Sequence, residues 1–482
     1  MKQSLDAMTA KARRFRPSGL GALALGALLA LSAPVLARAE TLADALALAY
    51  QNSGLLEQNR ALLRAADEDV AATVSQLRPI LSWSADVTHD YARTPSIPGP
   101  GSTRTGQTDL NAGIIAQLLL YDFGQARFQI EAAKESVLAT RQALIAIEQQ
   151  VLLRAVQAYM NVQRNYEFVA LRESNVRLIG ESLRAARDRF EVGEVTRTDV
   201  AQAEARLSAS QSALAAARGD LRQAVEEYIA AIGQRPGQLS TPQNVPPITR
   251  TEESAKQIAL QSHPDILQAR HDVATAELNV QAAEAAMAPT INLTGRVGVN
   301  RELSGSSFGD SSSVGVEITG PIYQGGLLSS TKRRAIALRD AQRGVLHTTA
   351  YAVAQNVGNA YAILNAAQAV LVSSAEQVRA ARVAFEGVQE EARLGARTTL
   401  DVLNAEQEYL DARTNQISAR VDVLIATYAV LESMGQLTVR DLNLAVQTYD
   451  PTAYYNLVKD APARYSQQGQ RLDRVLRALG KE

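Results

Sequence analysis

The 482-residue chain sets 49 basic against 50 acidic residues and holds only 5% aromatics. Balanced charge argues against a nucleic-acid binder, which shows a basic excess. With no cysteine, the chain excludes disulfides, thiol catalysis, iron–sulfur clusters, cysteine zinc sites and a lipid-modified N-terminal cysteine.

The first 39 residues read as a secretory leader. Lys11, Arg13, Arg14 and Arg16 precede an apolar run from Leu20 to Leu36, and Ala37-Arg38-Ala39 offers small residues for cleavage. Removing residues 1–39 takes away six basic residues and Asp6, leaving a net charge of −6. Export places the mature chain in the periplasm, the outer membrane or the exterior. Beyond the leader no apolar run reaches the roughly 18–20 residues of a membrane helix, so a membrane-crossing mature chain must form a closed β-barrel.

A helix is expected before Pro79, then strands near Leu81–Tyr91 and Asp109–Tyr121, joined by the Gly/Ser/Pro/Thr-rich loop Thr94–Gly106. Each strand is about ten residues, the length that spans a membrane in a barrel. Trp83, Tyr91, Tyr121, Phe123 and Tyr323 sit near predicted strand ends, where aromatic girdles belong. Proline is then absent from Gly101 to Arg235. An interior proline costs a helix about 3 kcal/mol, so this gap permits one long helix from Gln125 to Gly193, about 100 Å at 1.5 Å per residue. Ile130, Val137, Leu144, Val151 and Ala158 recur every seven residues, beside a second row of Leu138, Ile145, Leu152, Tyr159 and Tyr166. Two adjacent heptad rows suit a helix with neighbours on both sides. A short glycine-containing break and a returning helix complete the unit.

The unit then repeats. Gln51 matches Gln261, Leu56 matches Ile266, Arg60 matches Arg270 and Pro79 matches Pro289, all 210 residues apart. From Tyr121 with Tyr323 onward the offset is 202, and it holds for Gly193 with Gly395, Thr196 with Thr398 and Asp199 with Asp401. The first copy therefore has eight extra residues between Pro79 and Tyr121. The second copy's strands are expected at Ile291–Arg301 and Ser313–Tyr323, with the loop Ser304–Ser313 between them. The chain divides into a leader at 1–39, a first repeat at 40–240, a linker at 241–256, a second repeat at 257–440 and a tail at 441–482. Pro236–Thr251, which joins the two halves, is expected to run extended along the outside of the helices, and the tail to be periplasmic and partly mobile. Four strands cannot close a barrel, since even the smallest membrane barrel has eight, so several chains must pool their strands. The arithmetic fits two, three or four copies.

This arrangement resembles the TolC family of outer-membrane efflux and secretion proteins. The resemblance rests on Arg189-Phe190-Glu191-Val192-Gly193 with Thr198-Asp199-Val200, on Gly395-Ala396-Arg397-Thr398 with Asp401-Val402-Leu403, and on Pro321-Ile322-Tyr323-Gln324-Gly325-Gly326. It covers residues 41 to about 440. It implies a mainly α fold: a homotrimer whose four strands per chain form a twelve-stranded outer-membrane β-barrel, continuous with a periplasmic barrel of twelve helices. It also implies a periplasmic adaptor, an inner-membrane ABC or RND transporter, contact with outer-membrane lipid, and no cofactor or nucleic acid.

Resemblance further assigns a periplasmic gate to Asp401, Arg397, Asp199, Thr198 and Asn404. Three copies would cluster six carboxylates from Asp199 and Asp401, repelling anions and raising one another's pKa. A helix-capping role for either aspartate is the plainer alternative. Two positions depart from the family pattern: Asn404 stands where a second aspartate is common, and Ala392 where a gate tyrosine is common. Val192, Gly193, Leu394 and Gly395 would meet the adaptor. Tyr121, Gly124, Pro321, Tyr323 and Gly326 would form the barrel-to-helix junction.

Two other function classes compete. A periplasmic coiled-coil adaptor would also carry helical hairpins, but usually one rather than two in tandem. A hydrolase could use Ser307 in Gly305-Ser306-Ser307-Phe308-Gly309, yet that motif requires a preceding strand and a following helix. His89, His263, His271 and His347 show no recognised metal or triad spacing.

Overall fold

The computed structural model describes residues 40–95, 99, 102–242, 246–248 and 251–478. The expected leader, the tip of the first strand loop, parts of the linker and the last four residues lie outside them. Each repeat opens with two helices broken by a capping residue. In the first, α1 (Leu42–Asn52) ends at Ser53, whose hydroxyl accepts from the Leu56 amide and starts α2 (Gly54–Ser75). A strand pair follows, β1 (Ile80–Pro95) and β2 (Ser102–Tyr121), then the 67-residue α3 (Gln125–Glu191) and the returning α4 (Arg197–Ile232). The second repeat comprises α5 (Glu252–Ser262), α6 (Pro264–Ala285), β3 (Thr290–Glu302), β4 (Phe308–Thr319), α7 (Leu327–Arg393) and α8 (Thr399–Ser433). Every boundary of α1 and α2 recurs 210 residues later in α5 and α6, and α3 recurs 202 residues later as α7.

The heptad rows of α3 behave as the spacing requires. Ile130, Val137, Val151 and Ala158 are buried, as are Leu152 and Tyr159 of the second row, whereas Tyr166 is exposed. Leu152, Val156 and Tyr159 join Leu46 of α1 and Tyr228 and Ile232 of α4 in the main core. Burying each such side chain contributes on the order of 2 kcal/mol. The Tyr159 hydroxyl lies 2.8 and 2.7 Å from the carbonyls of Glu40 and Ser240, tying the two ends of the first repeat together. Next to it, Leu239 bridges to Glu40 in extended conformation. A second core joins Val357, Tyr361 and Leu364 of α7 to Val430 and Met434 at the end of α8.

The four strands form one antiparallel sheet in chain order, with β1 and β4 at its edges. Three strands differ from expectation. The strands β1 and β2 run through most of the expected loop Thr94–Gly106, and β4 begins at Phe308, inside the expected loop Ser304–Ser313. Backbone pairing holds these Gly- and Thr-rich segments extended where composition alone reads as turn. At its other end β4 stops at Thr319 rather than Tyr323. Pro321 lies just beyond and has no amide to donate to the ladder. The extra eight residues of the first copy lengthen β1 and β2 to 16 and 20 residues, against 13 and 12 for β3 and β4.

Register gives the sheet two chemically distinct faces. Trp83 lies opposite Ile114, which lies opposite Val297, while Leu118, Leu293 and Val316 form another row on the same face. The opposite face holds Ser82, Ser84, Asp86, Asn111, Arg296 and Asn300. Its polar groups pair across strands: Asn111 Nδ2 donates to Asp86 Oδ2 at 2.9 Å, and Asn300 Nδ2 to Asn111 Oδ1 at 2.8 Å.

The tail packs on the first repeat. Its helices α9 (Ala453–Val458) and α10 (Gln467–Ala478) bury Val458 and Leu472 against Ala71 of α2. Arg78 donates to the carbonyls of Asp460 and Ala461, and the Tyr454 hydroxyl donates to Glu68 Oε1 at 2.6 Å. These contacts join segments more than 380 residues apart, which local pattern cannot reveal.

Candidate functional site

The returning turns of the two helical hairpins bring most of the expected site residues together. The helix α3 ends at Glu191 and α7 at Arg393; each chain then turns through a glycine, Gly193 at φ 82° and Gly395 at φ 80°. A side chain is strained at such angles, so glycine ends the helix here with little strain. The returning helices start with matched capping boxes. Thr196 Oγ1 accepts from the Asp199 amide while Asp199 Oδ2 accepts from the Thr196 amide at 2.9 Å. Thr398 and Asp401 repeat this, with Asp401 Oδ2 accepting from the Thr398 amide at 3.0 Å.

These bonds decide the electrostatics of the protomer. The hydroxyl and amide of Thr196 hold Asp199 below the usual carboxylate range, and the amide and hydroxyl of Thr398 do the same for Asp401. Within one protomer both carboxylates accept hydrogen bonds in their ionised form, which favours that form. Both aspartates cap helices, as the plainer reading held. Thr196 and Thr398 each stand three residues before an aspartate, the spacing of a capping box. Thr198 sits exposed in the first turn of α4.

Around this frame, Arg397 Nε donates to Glu391 Oε2 at 2.8 Å, within its own hairpin. Asn404 reaches the other hairpin: Arg206 Nη2 of α4 donates to its Oδ1 at 3.1 Å. Above it, Asn175 of α3 donates to the buried Glu406 of α8. Arg206, Asn175 and Glu406 carry no signal in the sequence as site residues, since their partners lie on remote segments. Val192 and Leu394 project apolar side chains that are 71% and 80% exposed.

The junction residues lie at the other end of the long helices. Tyr121 closes β2 and packs on Phe123 with ring centroids 4.8 Å apart. Gly124 and Gly326 begin α3 and α7 with positive φ. Tyr323 is 86% exposed and lies beyond the strand rather than at its end. Ser307 falls in the turn between β3 and β4, with no helix following it, so the hydrolase context does not form. Among the described residues no helix is long and apolar enough to cross a membrane, and no cluster of metal-ligating side chains occurs.

Comparison with known proteins then decides the family. The outer membrane efflux protein family matches residues 45–234 and 255–436, once per repeat. The chain belongs to the outer membrane efflux protein family. This outer membrane efflux protein is 37% identical to the outer membrane efflux protein BepC of Brucella suis over 426 residues, covering 88% of the chain and 91% of BepC. It is 27% identical to the outer membrane protein TolC of Vibrio cholerae, over 84% of the chain and 92% of TolC. Its fold matches the Campylobacter jejuni CmeC outer membrane channel with a TM-score of 0.72 at 18% identity, over 88% of the chain and 90% of CmeC. As a member of this family the protein is an efflux channel of the Gram-negative outer membrane, and the adaptor alternative falls. The family is one of channels rather than enzymes. The fold class expected from the sequence is the one observed: a mainly helical, internally duplicated chain with four strands.

Proposed function

We propose that three copies of this chain assemble into a continuous export duct, closed at its inner end by the hairpin tips. The observation that carries this reading is the sheet, with one apolar face, one polar face and two free edges. An open edge cannot persist in hydrocarbon, because its amides and carbonyls have no partner there. Pairing β4 of one copy with β1 of the next satisfies both edges, and the resemblance to the TolC family sets the number at three. The apolar rows then face lipid, and the Asp86–Asn111–Asn300 row faces the lumen, the alternation of transmembrane barrels.

At the inner end, three copies converge their Asp199 and Asp401 carboxylates. The threonine caps keep these groups ionised despite crowding, so the ring stays negative and favours cations. Arg397, Asn404 and Thr198 complete the closing contacts. The exposed apolar tips at Val192 and Leu394 with Gly193 and Gly395 form the surface for a periplasmic adaptor, which couples the duct to an inner-membrane ABC or RND transporter. The duct needs no catalytic group or cofactor, since the transporter supplies the energy. Single-channel recording tests the gate: Asp401→Ala and Arg397→Ser are expected to raise ion conductance of the reconstituted protein. Unchanged conductance in both variants rejects the gate.

A further inference from the structure

The two repeats treat one matched pair of glutamates differently. Glu204 of α4 is exposed and paired, with Arg187 Nη2 donating to its Oε1 at 2.6 Å. Glu406 stands 202 residues later in α8, but Gln389 occupies the position that matches Arg187. Glu406 is only 3% exposed and lies where the second hairpin packs on the first. Its Oε1 accepts from Asn175 Nδ2 of α3 at 2.8 Å, and its Oε2 has no hydrogen-bond partner.

An ionised carboxylate in this setting is unfavourable, because a buried charged oxygen without a donor forfeits its hydration. The surrounding elements do little to offset that. From α3 comes neutral Asn175, and the matched position on α7 is neutral Gln389. From α4 comes Arg206, whose charge favours the ionised form, but its Nη2 donates to Asn404. Burial accordingly pushes the Glu406 carboxyl up to about 7, against the smaller opposing effects of Asn175 and Arg206.

We propose that Glu406 is a proton-controlled latch between the two hairpins: protonated, it lets α8 pack against α3; ionised, it favours their separation and its own hydration. The packed form holds its proton more tightly than a hydrated carboxyl with its ordinary value of 4.5. Packing is therefore strongest in acid, weakens as pH rises from about 4.5 to about 7, and is constant above that. The consequence for conduction rests on the gate proposed above; the latch itself does not.

Hydrogen exchange on the assembled mature protein tests the latch, with protection factors corrected for intrinsic exchange at pH 5.5 and pH 8. In the wild type, opening of residues 403–410 is expected to be roughly thirtyfold more populated at pH 8. Glu406→Gln, a neutral isostere, is expected to show equal protection at both pH values. Gln389→Arg, which restores the pairing of the first repeat, is expected to lose the dependence as well. Equal wild-type protection at both pH values, or a dependence that survives in Glu406→Gln, overturns the latch. Single-channel conductance of the same proteins separates the two proposals. Conductance that rises with pH only when Glu406 is present supports both. Protection that responds while conductance stays flat supports the latch and rejects the hairpin tips as the gate.

Discussion

Arg206 of α4 donates to the side-chain carbonyl of Asn404 of α8 across 3.1 Å, linking the returning helices of the two hairpins near their tips. This bond gives a role to the position where the resemblance to the TolC family implies a second aspartate. A carboxylate there would turn a neutral acceptor into an ion-pair partner and add one negative charge per copy. Asn404→Asp is expected to tighten the tip, lowering single-channel conductance and raising cation selectivity. The exposed pair would add less than about 1 kcal/mol of stability, so the effect is read in bilayer recordings rather than in thermal melts.

The matched capping boxes predict a local loss. Thr196→Ala removes the hydroxyl that accepts from the Asp199 amide and leaves the first turn of α4 uncapped. A lost cap costs about 1 kcal/mol, so amide exchange in residues 197–200 is expected to quicken roughly fivefold. Thr196→Ser, which keeps the hydroxyl, is expected to exchange like the wild type.

Asp67 of α2 is fully buried, and neither carboxylate oxygen has a hydrogen-bond partner. Burial pushes its carboxyl up to about 6, with Arg141 opposing and Glu68 adding to the shift. Its folded value lies above the ordinary 3.8, so stability falls as pH rises from about 3.8 to about 6 and is then constant. Asp67→Asn is expected to stabilise the protein at pH 7.5 by on the order of 1–2 kcal/mol, with no gain at pH 3.5. Denaturant midpoints at the two pH values check this.

The tail provides a further test. Tyr454→Phe deletes the bond to Glu68 and leaves the ring in place. Losing one hydrogen bond at this exposed site costs about 1 kcal/mol. Limited proteolysis is expected to cleave beyond Asp450 several times faster in this variant, while cleavage elsewhere is unchanged.

What could be read from the sequence was whatever depends on near neighbours along the chain. Heptad rows and a proline-free stretch place α3 within two residues of its observed ends. The duplication places the second repeat from the first. Pattern was weaker where pairing between strands overrides composition. Thr103, Thr105 and Gly106 look like loop residues yet lie in β2, because β1 supplies partners for their backbone.

The sequence by itself determined the helices, the repeat, the shortage of strands and hence the need for several copies, since each follows from local periodicity or from counting. Only the tertiary structure decided that Asn404 meets Arg206, that the tail is strapped to α2, and that Glu406 is buried while Glu204 is paired. Those outcomes depend on contacts between segments up to hundreds of residues apart. Burial and hydrogen bonding set the behaviour of a charged side chain there, and no local pattern specifies either.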